Sequence, residues 1–293
     1  MTLKKKNKGW KSKKKDFKKL IEEKKKEMKK KPSKTTTKRG IDKHIPEKKA
    51  VKKIYDIIIE NSHIPPKFDN ATFSSFNFSA CPRENVKKIK TIKTYAENIL
   101  TAIKGPQSVY IYSKFNGCGK THIAVAALKT AAKVFAQEIY NKKPEYYSRR
   151  GVSFSDFNWR PVFFMSEVNY LWKKRQFNSS NQNLKKELDI IENAVMNSKL
   201  LVIDDFLRER NTDFVFGNLT AWLNHRYDYN KPVIFTSNSD FFELAKNNEK
   251  NPYYSTNHHK AATYLASRIS EMTKGYQFLF LSSPEDDYRQ NSY

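Results

Sequence analysis

From Ile64 onward the chain alternates short, unbroken apolar runs with longer stretches whose apolar residues recur every three or four positions. The runs are SVYIY (108–112), PVFFM (161–165), KLLVIDD (199–205), PVIFTSN (232–238) and YQFLFLS (276–282). Runs of this kind predict strands buried on both faces. The stretches after them predict helices over roughly 119–140, 166–175, 184–197, 214–228 and 260–272. Ser166-Glu167 has the form of a helix start, with a hydroxyl placed to cap the first turn. Strands that alternate with helices predict an α/β protein with a central five-stranded parallel sheet covered on both sides, a three-layer fold. The segment 141–160 is polar and aromatic and predicts an insertion.

Ahead of Ile64 the pattern changes. Trp10, Phe17, Leu20, Ile21 and Met28 recur at helical spacing among lysines and glutamates, and Pro32 ends the pattern. This predicts a basic amphipathic helix over roughly 11–31, with Trp10, Phe17 and Ile21 as anchors for a partner. Residues 31–40 (KPSKTTTKRG) predict a linker, and Val51, Ile54, Ile57 and Ile58 share one face of a second helix over 47–61. The expected division is a Lys-rich helical extension, 1–62, and a body, 63–293.

Charge sharpens this division. The formal net charge is +26, and the first 60 residues hold 24 of the 56 Lys and Arg. Such an excess favours a polyanion or an acidic protein surface as partner. The two cysteines, Cys81 and Cys118, are far apart, so neither a disulfide framework nor a zinc site is expected. No run approaches the ~18 apolar residues of a membrane span. The lysine-rich start lacks the apolar segment of a signal peptide. A soluble, cytoplasmic protein is expected.

The first run leads into SKFNGCGKTHIA (113–124), and the context of strand, loop and helix start makes this a phosphate-loop candidate. Glycines let successive N–H groups turn toward phosphate oxygens, and the helix N-terminus adds its positive dipole end. Asn116, Gly117, Cys118, Gly119, Lys120, Thr121 and His122 are the candidate nucleotide contacts. Lys120 suits the β- and γ-phosphates, and the Thr121 hydroxyl suits Mg²⁺. Lys114 stands where such a loop normally opens on glycine, and Asn116 tolerates left-handed backbone. Cys118 reads as a small filler. The third run ends in Asp204 and Asp205, at the strand end where open α/β sheets bind ligands. Asp204 suits Mg²⁺ and Asp205 suits activation of water. Asn238, ending the fourth run, would face the same pocket. Together these predict an ATPase using ATP/ADP and Mg²⁺.

As a set, GCGKTHIAVAAL, FFMSEV, LLVIDDF, HRYDYNKPVIFTSN and YLASRISEM closely resemble the DnaC/DnaI-type replicative helicase loaders. The lead-in IPPKFDNATFSSFNF resembles the segment before the ATPase domain of that family, and the likeness spans about 64–289. It implies a P-loop AAA+ fold without a C-terminal helical lid, for which the 25 residues after Arg268 leave no room. It implies that Arg268 reaches a neighbouring subunit's site, by self-association, and that Arg289 senses phosphate within its own chain. Arg226, in HRYD, is a second nucleotide-linked arginine by the same resemblance. A helicase ring is the implied partner of the N-terminal region. Single-stranded DNA is implied at the helix after the second strand, with Lys173, Lys174 and Arg175 as contacts. Aspartate at 205, where many AAA+ ATPases carry glutamate, predicts slow hydrolysis that serves as a switch. The IstB-type transposition ATPases share nearly all these motifs and imply duplex DNA and a transposase instead. A kinase would need an acceptor site and lid that the sequence does not offer clearly. A DNA-binding adaptor with a relic pocket would need no turnover.

Overall fold

The computed structural model describes residues 45–79, 81–105, 107–150, 160–177, 181–208, 213–241 and 256–281. The expected docking anchors Trp10, Phe17 and Ile21, and also Arg289, lie outside the described residues.

All five expected strands form: β1 (Val109–Tyr112), β2 (Val162–Ser166), β3 (Leu200–Asp204), β4 (Val233–Ser237) and β5 (Gln277–Leu279). Every pairing is parallel, in the order β2-β3-β4-β1-β5. Their continuous apolar character has a simple cause, because successive side chains point to opposite faces and both faces are covered. Val109, Ile111, Val202 and Ile234 enter one core, while Tyr110, Leu201, Ile203 and Phe235 enter the other.

The first core is roofed by α1 (Glu47–Glu60), α2 (Arg83–Glu97), α3 (Ile99–Ala102) and α4 (Lys120–Lys142). The long helix α4 is buried along Ile123, Ala124, Ala127, Leu128, Ala131 and Phe135, and both α1 and α2 pack on it. Its alanines let the neighbouring helices and the sheet approach closely. The helix α1, placed by its sequence pattern in the N-terminal extension, buries Ala50, Ile54 and Ile58 here, and the compact unit begins at His44. Helix α2 was not anticipated, although Ile89, Ile92, Tyr95 and Ala96 have helical spacing. Part of the expected insertion is a short helix, α5 (Pro144–Arg150).

The second core is covered by α6 (Glu167–Gln176), α7 (Gln182–Asn197), α8 (Asp213–Asp228) and α9 (Thr256–Met272). Ser166 caps α6 as expected, accepting from the Asn169 N–H. Arg226, near the end of α8, is the one arginine among the largest fully buried side chains of the described residues. It donates to Val195 O (2.6 Å), Ser198 O (3.1 Å), Ser198 Oγ (3.3 Å) and Pro232 O (2.8 Å). These acceptors lie just before β3 and β4, at the amino-terminal edge of the sheet. The phosphate loop follows the carboxy-terminal end of β1. Arg226 is therefore a structural clamp at the opposite end from the loop, which corrects the expectation of a nucleotide-linked arginine.

Removing this guanidinium would leave several buried acceptors without a donor. Arg226→Met is expected to cost about 3–5 kcal/mol of stability in urea denaturation, with nucleotide affinity of the folded fraction unchanged. Unaltered stability would contradict the clamp.

Candidate nucleotide site

The loop between β1 and α4 has the backbone that its glycines suggest. Gly117 and Gly119 both have positive φ, 77° and 84°. Gly119 is constrained twice, because a Cβ there would also lie 2.5 Å from Phe76 Cε2. Lys120 is only 7 % exposed, and its Nζ donates to Phe115 O (3.1 Å) and lies 3.6 Å from Cys118 Sγ. Cys118 is buried, as a small filler should be.

Of the downstream positions expected at this pocket within the chain, Asp204 and Asn238 bond to the loop or the helix it opens, and Asp205 lines the same cleft. The Thr121 hydroxyl donates to Asp204 Oδ1 at 2.7 Å, so the start of α4 touches the end of β3. The same oxygen accepts from the Thr236 hydroxyl at 2.5 Å. Thr236 Oγ1 in turn accepts the Asp205 N–H at 3.1 Å. Asn238 Nδ2 donates to Asn116 Oδ1 at 2.9 Å, which brings the end of β4 to the tip of the loop. Arg268, expected at a neighbouring subunit's site, lies on α9. Its guanidinium lies over the Tyr227 and Tyr264 rings (4.3 and 5.2 Å), and Nε donates to Tyr264 Oη at 3.2 Å.

Backbone strain marks the turn after β3. Asp205 and Leu207 both have positive φ, 56° and 61°. Left-handed backbone costs a non-glycine residue on the order of 1 kcal/mol, so it persists only where neighbours impose it. The neighbours here are Thr236, whose carbonyl accepts the Phe206 N–H (2.8 Å), and Glu167 of α6, whose Oε2 accepts the Leu207 N–H (2.9 Å).

A strap from the lead-in forms the other wall. Lys129 of α4 holds it through Phe68 O (2.7 Å) and Asp69 O (2.6 Å). His122 Nε2 donates to Thr72 O at 2.8 Å, and its ring meets Phe76 edge to face at 5.4 Å. The resulting cleft has a volume of 740 Å³ and is lined by the loop, by Asp204 and Asp205, and by Lys67, Ser75, Phe76, Asn77 and Arg208. Lys67, Phe76, Arg208 and Thr236 were not anticipated. Only the FTSN run carried a hint of Thr236, through its place two residues before Asn238.

The donor set fits Mg²⁺. Thr121 and Asp204 offer hard oxygens beside the loop, and Mg²⁺ bound with phosphates needs few protein ligands. Among the described residues no cluster of three or more His, Cys, Asp or Glu forms a metal cage of its own.

At the expected DNA-binding helix, two lysines are already engaged. Lys173 pairs with Glu187, and Lys174 pairs with Glu192 at 2.5 Å. Arg175 is exposed, and so is Trp172, at 57 %.

Burial raises the Asp204 pKa above its ordinary value, against the two hydroxyl donors that lower it. A carboxyl raised in the folded state favours folding while protonated and opposes it once ionised. Asp204→Asn keeps an oxygen acceptor for both hydroxyls and removes the charge. It is expected to raise the melting temperature at pH 7, with the advantage shrinking as pH falls through the carboxylate range, by scanning calorimetry across pH.

No family model and no curated protein matches the chain. Solved structures do. The DnaI crystal structure superposes with a TM-score of 0.50 at 18% identity, covering 75% of this chain and 95% of that one. The DnaC helicase loader gives 0.46 at 20% identity, covering 74% and 100%. The replication initiator DnaA bound to AMPPCP and single-stranded DNA gives 0.45 at 18% identity, covering 75% of this chain and 52% of that one. At these identities the likeness is one of fold. With its parallel sheet, its loop between β1 and α4 and its acidic end of β3, the chain has the P-loop AAA+ α/β fold.

Proposed function

We propose that the protein is an ATP-dependent switch of DNA replication that binds a hexameric replicative helicase and places it on single-stranded DNA. The observation that carries the nucleotide chemistry is Asp204 Oδ1, which takes one hydroxyl from the loop helix and one from β4. ATP would lie in the cleft with its phosphates against the N–H groups of 116–121 and Lys120. Mg²⁺, held by Thr121 and Asp204, would supply charge neutralisation at the β- and γ-phosphates. Asp205 would take a proton from water as the water oxygen bonds to the γ-phosphorus. The bond to the bridging oxygen breaks, leaving ADP and inorganic phosphate. Asn238, at the loop tip, would orient the γ-phosphate side. Arg268, exposed in part and backed by two tyrosine rings, would reach a neighbouring subunit's site, and Arg289 would sense phosphate in its own chain.

The loader reading is supported by the fold shared with DnaI and by the strongly basic extension, whose Trp10, Phe17 and Ile21 suit a helicase groove. On α6, Trp172 and Arg175 offer the aromatic face and positive charge that single strands bind. Lys173 and Lys174 would have to leave Glu187 and Glu192 to contribute.

Labelled-ATP binding and steady-state hydrolysis test the chemistry. Lys120→Ala is expected to weaken binding at least about tenfold. Asp205→Asn is expected to keep binding and lose about a hundredfold or more in kcat. Wild-type behaviour in both would refute the ATPase. Partner binding is tested on the full chain: Trp172→Ala should weaken single-stranded DNA about tenfold, and loss of residues 1–40 should abolish co-elution with a helicase hexamer. Retention of both would refute these surfaces.

A further inference from the structure

One ion pair in the cleft is not used by the chemistry above. Arg208 stands three residues after Asp205 and lines the same cleft, and its Nη1 donates to Asp205 Oδ2 at 2.7 Å. The Arg208 N–H also closes the turn onto Asp205 O at 3.2 Å. The turn between them is held from outside by Thr236 and Glu167 through its own N–H groups. The backbone therefore delivers the guanidinium to the carboxylate.

A carboxylate that activates water needs an oxygen lone pair directed at that water. A guanidinium on one oxygen occupies that atom and fixes the plane of the carboxylate with it. Asp204, by contrast, is met by two neutral hydroxyls, so the cation acts on one acid of the pair and not on the other. We propose that Arg208 is a positioning residue that latches Asp205 and thereby slows hydrolysis at this site. The latch rests on the proposed nucleotide chemistry and adds a second cause of slow turnover beside the short aspartate side chain. It is a weak latch, because its side chains are 58% and 31% exposed and solvent-exposed ion pairs hold loosely. Side chains this exposed move much faster than a slow turnover, so the rate follows the fraction of time the pair is open.

Steady-state hydrolysis by the full chain, with labelled-ATP binding measured alongside, tests it. Arg208→Ala is expected to raise kcat about threefold to fivefold with KM within about twofold of wild type. Arg208→Lys, which keeps a cation without the fork, is expected to fall between. The Arg208→Ala, Asp205→Asn double variant is expected to match Asp205→Asn alone, which no merely structural role of Arg208 would produce. A fall or no change in kcat for Arg208→Ala overturns the latch, as does a rise that persists in the double variant. Failure of the nucleotide reading looks different. No labelled ATP then binds to any variant, all turn over alike, and the latch falls with it.

Discussion

The hydrogen bonds to Asp204 Oδ1 join three parts of the chain that are far apart in sequence. Thr121 brings the start of α4, Thr236 brings β4, and the carboxylate itself ends β3. A buried charge survives only when donors replace its water, and here two hydroxyls do so while burial still raises the pKa. The contact also depends on strand register. Ile203 lies opposite Phe235, which puts Thr236 level with Asp204, and a slip of one residue would present the other face of β4. Thr236 passes the constraint on by accepting the Asp205 N–H, so the position of the second acid follows from that of the first.

The two ends of the sheet have different work. At the amino-terminal edge, Arg226 satisfies carbonyls that lead into β3 and β4, and its charge is spent on holding chain entries together. At the carboxy-terminal edge the loop, the paired acids and Asn238 gather around the cleft, with a left-handed turn held in place by Glu167 and Thr236. Strain and a desolvated carboxylate are both local costs, and the covered sheet behind them offsets these costs. Two separate cores, one on each face, make that sheet a rigid base from which side chains can be aimed.

Much of this was legible beforehand because it depends on local rules. The five strands followed from unbroken apolar runs, the loop from glycines between a strand and a helix, and the two acids from the end of the third run. Other features were not legible because they depend on distant partners. HRYD suggests a nucleotide-linked arginine by resemblance, yet Arg226 is buried at the other end of the sheet, bonded to the entries to β3 and β4. Phe76 is one aromatic among several in its lead-in, and only the folded strap shows that its ring packs on Gly119 and helps require glycine there. Arg208 meets an acceptor only three residues away, but the left-handed turn that joins them is held by distant Thr236 and Glu167. Lys173 and Lys174 look like a free basic patch until α7 supplies Glu187 and Glu192.

What the sequence determined by itself was the periodicity, and with it the five strands, most of the helices, the parallel layered sheet and the phosphate loop, since these follow from local pattern. What only the tertiary structure decided was which polar side chains meet. Thr121, Asp204 and Thr236 converge through strand order and register, as do Asn116 and Asn238. Arg226 finds acceptors before β3 and β4 the same way. Hydrogen bonds act over about 3 Å, and only the packed fold brings residues a hundred positions apart within that distance.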